Sequence, residues 1–214
     1  MKNIILITTF VSLAFSNLSY GQFTQVELFT GLDKTDFTLY SSYAINKSET
    51  LSLNTLAFFQ KFKSEANKEF DEIGVQPTLF WNINKHIAIG PSIYYNSFAG
   101  FAERLSAKLT LKNSRILFVT IPTMAYSEQK DASYAELLVQ LQYNIPLSNK
   151  VSLWCNGQLL TIWDEFEKHS RSFQQLRIGI EINTHQFGLG LDIDQYGPKP
   201  IEQSSFGLYY RNTL

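Results

Sequence analysis

Strict alternation of apolar and polar residues is the feature that most constrains this chain. Residues 175–183 read QLRIGIEIN, so an extended strand here places every leucine and isoleucine on one side and the polar residues on the other. Residues 186–194, QFGLGLDID, repeat the pattern after the dipeptide Thr184-His185. The two segments are therefore predicted to form a tight hairpin in which each strand has one apolar and one polar face.

The same alternation covers nearly the whole chain after residue 22. Twelve strands are predicted, at 23–30, 36–46, 50–62, 72–83, 86–97, 103–112, 115–126, 133–145, 151–163, 173–183, 186–194 and 204–213. Short connections are predicted near Lys47, Asn84, Asn113, Ser148 and Thr184, and longer ones at 63–71, 98–102, 127–132, 164–172 and 195–203. An even number of strands of about 10 residues, with short turns at one end and longer loops at the other, is typical of outer-membrane barrels.

The predicted fold is therefore all-β, an antiparallel up-and-down transmembrane barrel of about 12 strands. A soluble β-sandwich or a lipocalin-like barrel is the alternative, since strands in those folds also alternate. Soluble strands usually run about 5–6 residues, and several segments here are about twice as long. Aromatic residues near the predicted strand ends favour a membrane barrel, in which they form interfacial girdles. These residues are Trp81, Tyr95, Phe98, Phe101, Tyr126, Trp163, Phe166 and Tyr210.

Charge and cysteine content exclude several classes of function. Lys and Arg number 18 against 19 Asp and Glu, a net charge of −1, so no general basic field would attract nucleic acid. A single cysteine, Cys155, permits neither an internal disulfide nor a cysteine-rich zinc site. The chain carries no glycine-rich phosphate loop and no dinucleotide fingerprint. We therefore expect no cofactor, no metal site and no nucleic-acid partner.

Residues 1–21 read as a secretory signal peptide. Lys2 precedes an apolar stretch at 4–15, and small or polar residues follow as far as Gly21. The apolar stretch of 12 residues is shorter than the roughly 18 that a membrane-spanning helix requires. Cleavage is expected before Gln22, which leaves 22–214 as the barrel.

Three prolines fall inside predicted strands, where each removes a backbone donor. They are Pro77, Pro91 and Pro122. If the turn between the fourth and fifth strands is centred on Asn84, Pro77 lies opposite Pro91. The two prolines would then share one bulge.

The signal ending in YGQ, the alternation throughout and the final segment SSFGLYYRNTL resemble small outer-membrane β-barrel proteins of the Bacteroidota type. Such proteins are largely uncharacterised, and they usually close with a strand that ends in an aromatic residue. Phe206, Leu208 and Tyr210 fit that strand, whereas Asn212 and the terminal Leu214 depart from it. The resemblance implies a place in the cell outer membrane, contact with its lipid, and insertion by the barrel assembly machinery.

Histidine placement bears on whether this barrel is a lipid-acting enzyme, which would need a nucleophile beside a base. His86 and His185 fall at the short-turn end, and only His169 falls in a predicted longer loop. Its polar neighbours are Asp164, Glu165, Ser170 and Ser172. A triad also needs a rigid third partner, which the sequence does not indicate. These residues are therefore expected to form a solvated rim, and no catalytic residue is assigned.

If the apolar faces meet lipid, the polar faces line the lumen. The charged candidates for lining it are Arg104, Lys108, Lys112, Glu136, Arg177, Glu181, Asp192, Asp194 and Arg211. With Thr184-His185 as the turn, Arg177 lies opposite Asp192 as a cross-strand ion pair. The cations at 104–112 and the acids at 181–194 are predicted to occupy different walls, so a field would cross the lumen.

The sequence leaves the state of the lumen open. In one alternative, inward aromatic side chains fill the lumen and plug the barrel. In the other, a narrow aqueous passage remains and selects small solutes. A small pore or passive channel is the first functional expectation. A non-conducting structural or adhesion barrel, with outer loops that bind partners, is the second. A lipid-modifying enzyme is the third.

Overall fold

The computed structural model describes residues 23–214. The predicted signal peptide and cleavage site lie outside these residues. The strands are β1 Phe23–Gly31, β2 Lys34–Ala44, β3 Leu51–Phe62, β4 Glu72–Asn82, β5 Ile87–Asn96, β6 Gly100–Lys112, β7 Ile116–Ser127, β8 Ala132–Pro146, β9 Val151–Asp164, β10 Lys168–Ile182, β11 His185–Tyr196 and β12 Ile201–Thr213. A short 3₁₀ helix, Glu65–Phe70, lies between β3 and β4.

Each strand pairs antiparallel with the next, and β1 closes the ring against β12. Closure pairs the backbone of every strand on both sides, which leaves no free sheet edge. The predicted fold class, an antiparallel barrel of about twelve strands, is confirmed. Within residues 23–214, no helix has the length and apolar character needed to cross a membrane.

The apolar face of the barrel is its outer face. On β12, Phe206, Leu208 and Tyr210 are 52%, 60% and 45% exposed. The residues between them point inward, and Ser205 and Tyr209 are buried. A soluble barrel would have the reverse arrangement, with its apolar side chains packed inside. The outer face of this barrel is therefore suited to lipid rather than to water.

The barrel has two ends that differ in their connections. Phe23 and Thr213 lie at one end, here called the terminal end, together with the turns at 45–50, 83–86, 113–115, 147–150 and 183–184. The other end, the loop end, carries the connections 32–33, 63–71, 97–99, 128–131, 165–167 and 197–200. The prediction of uniformly longer loops there is wrong. Strand pairing continues further than the alternation indicated, so β10 begins at Lys168 and β12 at Ile201, and only 63–71 is long.

The hairpin of β10 and β11 turns one residue earlier than predicted. Ile182 pairs with His185, so the turn is Asn183-Thr184, and Arg177 lies opposite Gly190 rather than Asp192. Asn183 has a φ of 57°, the left-handed conformation that tight hairpin turns require and that asparagine tolerates. The predicted register, based on Thr184-His185, is therefore wrong.

The prolines of β4 and β5 do not face each other, which corrects a second prediction. Thr78 pairs with Ser92 in a register displaced from the predicted one. The pairing is interrupted on both sides of Thr78, next to Pro77 and opposite Pro91. Each proline lacks the N–H that the ladder would use, so each makes its own local gap instead of sharing a bulge.

Cysteine labelling tests which end faces outward. The longer connections face the outside in such barrels, and 63–71, the longest connection within residues 23–214, lies at the loop end, so the loop end should be external. Ala66 and Ser114 are both exposed, at the loop end and the terminal end respectively. In a Cys155→Ser background, a membrane-impermeant maleimide added to whole cells should label Ala66→Cys and spare Ser114→Cys. The reverse pattern would contradict this orientation.

Candidate functional site: the barrel interior

Eight of the nine predicted lumen residues contact other side chains of the barrel interior, and six of them take part in ion pairs. The centre of the arrangement is a lysine that the sequence analysis did not assign. The ammonium of Lys34 lies 3.2 Å from Asp192 Oδ2 and 2.5 Å from Asp194 Oδ2. A third carboxylate, Asp36, lies 3.0 Å from the same nitrogen. Lys34, Asp192 and Asp194 are each no more than 1% exposed, so the cluster is closed to water.

A second chain of ion pairs joins the cluster to the seam of the barrel. Arg177 binds Asp192, and its Nε donates to Glu27 Oε1 at 2.9 Å. The other oxygen of Glu27 accepts from Arg211 Nε at 2.7 Å. The predicted pairing of Arg177 with Asp192 is thus present, although the side chains meet diagonally. Gly190, directly opposite Arg177, makes this possible, because a Cβ there would lie 3.0 Å from Arg177 Nη1.

One ion pair crosses the full width of the lumen. Arg171 on β10 binds Glu72 on β4, and these strands are six apart in a ring of twelve, on opposite walls. Asn96 Nδ2 donates to Glu72 Oε1 at 3.0 Å, and Tyr94 Oη donates to the same oxygen at 3.4 Å. On the other side, the guanidinium of Arg171 lies 5.3 Å from the ring centre of Tyr196. The lumen is therefore bridged from wall to wall towards the loop end.

The long connection 63–71 folds over this bridge. The ring of Phe70 stacks on Tyr196, with ring centres 4.4 Å apart. Gln60 Nε2 donates to the Phe70 carbonyl at 3.2 Å and to Tyr196 Oη at 2.8 Å. Asn67 Nδ2 donates to Gln203 Oε1 at 2.9 Å, which ties the 3₁₀ helix to β12. These contacts hold the connection across the mouth of the barrel.

The wall around β6 contains a separate group. Arg104 binds Glu136 and donates to Gln76 Oε1 at 2.6 Å. The ammonium of Lys108 lies 4.2 Å from the ring centre of Phe80. Lys112, at the end of β6, is exposed at the terminal end. Glu181, four strands away on β10, accepts from Gln186 Nε2 at 2.5 Å and from Asn144 Nδ2 at 3.2 Å.

The cations of β6 and the acids of β10 and β11 lie on different walls, as predicted, but nearby cations pair with the acids, which removes the basis for the predicted field across the lumen. Lys34, Arg171 and Arg177 lie among the acids of β10 and β11 and neutralise them locally. Lys34 and Arg171 were missed because they fell in predicted connections, whereas the structure places both in strands. Both residues are found when the inward alternation of β2 and of β10 is extended by two residues towards the loop end.

Comparison with known proteins supports the fold rather than a particular activity. No protein-family model matches the chain. No similar curated protein is found either. The NanC porin is 8% identical, with 90% of this chain and 98% of that chain covered and a TM-score of 0.56. An outer membrane channel from Pseudomonas putida F1 is 12% identical, with 90% and 94% covered and a TM-score of 0.49. LpxR from Salmonella typhimurium is 8% identical, with 89% and 99% covered and a TM-score of 0.48.

The closed barrel, its apolar exterior and the likeness to the NanC porin all indicate the same kind of protein. The protein is an outer-membrane β-barrel. The Bacteroidota type stays a prediction. At these identities the likeness establishes the fold and not the role.

Unfolding measurements test the importance of the buried pairs. Removing one partner of a buried ion pair costs about 3–5 kcal/mol, whereas an exposed pair contributes about 0–1 kcal/mol. Arg177→Met should therefore lower the free energy of unfolding in lipid vesicles by the larger amount. Lys130→Met is the matched control, since the Lys130–Asp164 pair is partly exposed. Equal small losses in both variants would contradict the role given to the interior network.

Proposed function

We propose that this protein is a closed outer-membrane barrel that does not act as an open pore. The observation that carries the proposal is the Arg171–Glu72 ion pair, which joins opposite walls beneath the connection 63–71. It favours the second of the three expected roles, a non-conducting structural or adhesion barrel whose outer loops bind partners. A passive channel remains the competing hypothesis.

The burial of the interior charges supports closure. Charged side chains that line an aqueous pore stay in contact with water, but Lys34, Asp192 and Asp194 are almost fully buried. A solute crossing this region would have to break several paired charges at once. Each disruption leaves an uncompensated charge in a region of low dielectric, at a cost of several kcal/mol. The network therefore supports a barrier along the lumen.

The terminal half of the lumen is more open. Lys108 and Glu181 are partly exposed there, and Lys112 is exposed. Deeper along the same strands, Ser106 and Arg177 are each 1% exposed. This gradient supports a recess that opens at the terminal end and stops at the buried network.

Planar-bilayer recordings test closure. The wild-type protein should give no stepwise conductance, because no water-filled path crosses the network. The variant Glu72→Ala/Arg171→Ala removes the side chains that span the diameter, so we expect brief openings. Lys130→Ala/Asp164→Ala, which removes a partly exposed pair in the loop-end half, should stay silent.

Steady, ion-selective steps from the wild-type protein would overturn the proposal and restore the channel hypothesis. If the Glu72→Ala/Arg171→Ala variant is also silent, the cluster around Lys34 closes the barrel without help from the bridge.

A further inference from the structure

A bulge on β10 brings a histidine and a serine together on the outer face. The ladder with β9 shifts between His169, opposite Trp163, and Arg171, opposite Ile162. Without the extra residue, side chains three positions apart would point to opposite faces. Arg171 points into the lumen towards Glu72, so its neighbour Ser172 points outward. His169 shares the outer face with it.

The hydrogen bonds of His169 fix its tautomer. Nδ1 lies 2.7 Å from the Gly197 carbonyl oxygen, and Nε2 lies 2.8 Å from Ser172 Oγ. A carbonyl oxygen only accepts, so Nδ1 carries the proton and Nε2 is left as an acceptor. The serine hydroxyl can therefore donate to Nε2, which is the arrangement of a nucleophile beside its base. Ser172 Oγ donates to Thr161 Oγ1 at 3.0 Å, so the serine hydroxyl must rotate to present its one proton to Nε2.

An apolar hollow of about 400 Å³ lies further along the outer face of β9 and β10, and neither His169 nor Ser172 lines it. Gln174 and Leu176, the next two outward residues of β10 after Ser172, form one side of it. Leu159 and Gly157, the next two outward residues of β9 after Thr161, form its floor. Because Gly157 has no side chain, the floor is open there. A Cβ at this position would meet only Leu176 Cδ2, at 3.5 Å.

We propose that Ser172 and His169 form an ester-hydrolysing site for membrane lipids, with the hollow over Gly157 holding an acyl chain. The hydroxyl lies near the loop end, and the hollow lies beyond it towards the middle of the barrel. An ester is placed in the same way in a bilayer leaflet, with its carbonyl near the interface and its chain deeper. This proposal goes beyond a closed barrel and does not depend on closure, because the site lies outside the lumen.

The reaction uses water as its second substrate. Ser172 Oγ attacks the ester carbonyl carbon while His169 Nε2 takes the hydroxyl proton. The bond from that carbon to the alcohol oxygen breaks, and the departing alcohol receives the proton from Nε2. Water then attacks the acyl-serine, its proton passes through Nε2 to Ser172 Oγ, and the free acid leaves. The Gly197 carbonyl holds the imidazole in the tautomer that each transfer requires.

A covalent probe and two esters test the pair of residues. The refolded full-length protein in detergent micelles should react with a long-chain fluorophosphonate, and peptide mass spectrometry should find the adduct on Ser172. It should also hydrolyse p-nitrophenyl palmitate and release fatty acid from phosphatidylethanolamine micelles. Ser172→Ala and His169→Gln should lose at least about 100-fold in rate, the usual contribution of a nucleophile and its base.

Ser170→Ala and His185→Ala are the matched controls. Ser170 adjoins the site in sequence, and His185 lies at the terminal end, where its Nδ1 contacts Tyr210 Oη. Both should keep wild-type rates. Heat-dependent mobility on gels verifies that each variant is folded. A folded wild type that neither labels nor hydrolyses either ester would overturn the proposal, as would activity that survives in folded Ser172→Ala.

The hollow has its own test. Gly157→Leu fills the floor without a clash at Cβ, so it should lower the ratio of palmitate to butyrate hydrolysis about tenfold, the usual scale of discrimination in an apolar pocket. An unchanged ratio in the folded variant would overturn the assignment of the hollow to the acyl chain.

Discussion

Pairing of the charges buried inside the barrel is the constraint on which the rest of the structure depends. Glu27 on β1 binds Arg177 on β10 and Arg211 on β12, so one carboxylate bridges the seam where the first and last strands meet. The cluster around Lys34 continues the same network between β2 and β11. Since an unpaired charge in this region costs several kcal/mol, closure of the ring and pairing of the charges depend on each other.

Local alternation predicted the twelve strands and the two faces of each regular stretch, because each residue's side of a regular strand depends only on its neighbours. Register was harder to predict. Because the turn includes Asn183 instead of His185, Arg177 pairs with Gly190 and not with Asp192 as predicted. The pair between Arg171 and Glu72 joins strands that are far apart in sequence and opposite in the ring. Such contacts depend on how the whole sheet tilts as it closes, which no local pattern encodes.

A local sequence pattern also fails to predict the outer site formed by His169 and Ser172. The sequence places His169 three residues before Ser172, a spacing that regular alternation assigns to opposite faces. Only the bulge puts their side chains together. The interior and the exterior therefore have different roles. The buried charges hold the ring closed, and the proposed ester-hydrolysing site lies on the lipid-facing surface.

Water access to the lumen distinguishes a closed barrel from an open one. Ser106 lies on the inner wall of β6, is 1% exposed, and its Oγ lies 2.8 Å from Thr123 Oγ1. In a Cys155→Ser background, Ser106→Cys should resist a small charged methanethiosulfonate in the folded barrel and react fully once unfolded. Lys112→Cys, at the exposed end of the same strand, should react at once. Equal rates at the two positions in the folded protein would show an open, hydrated lumen and contradict this account.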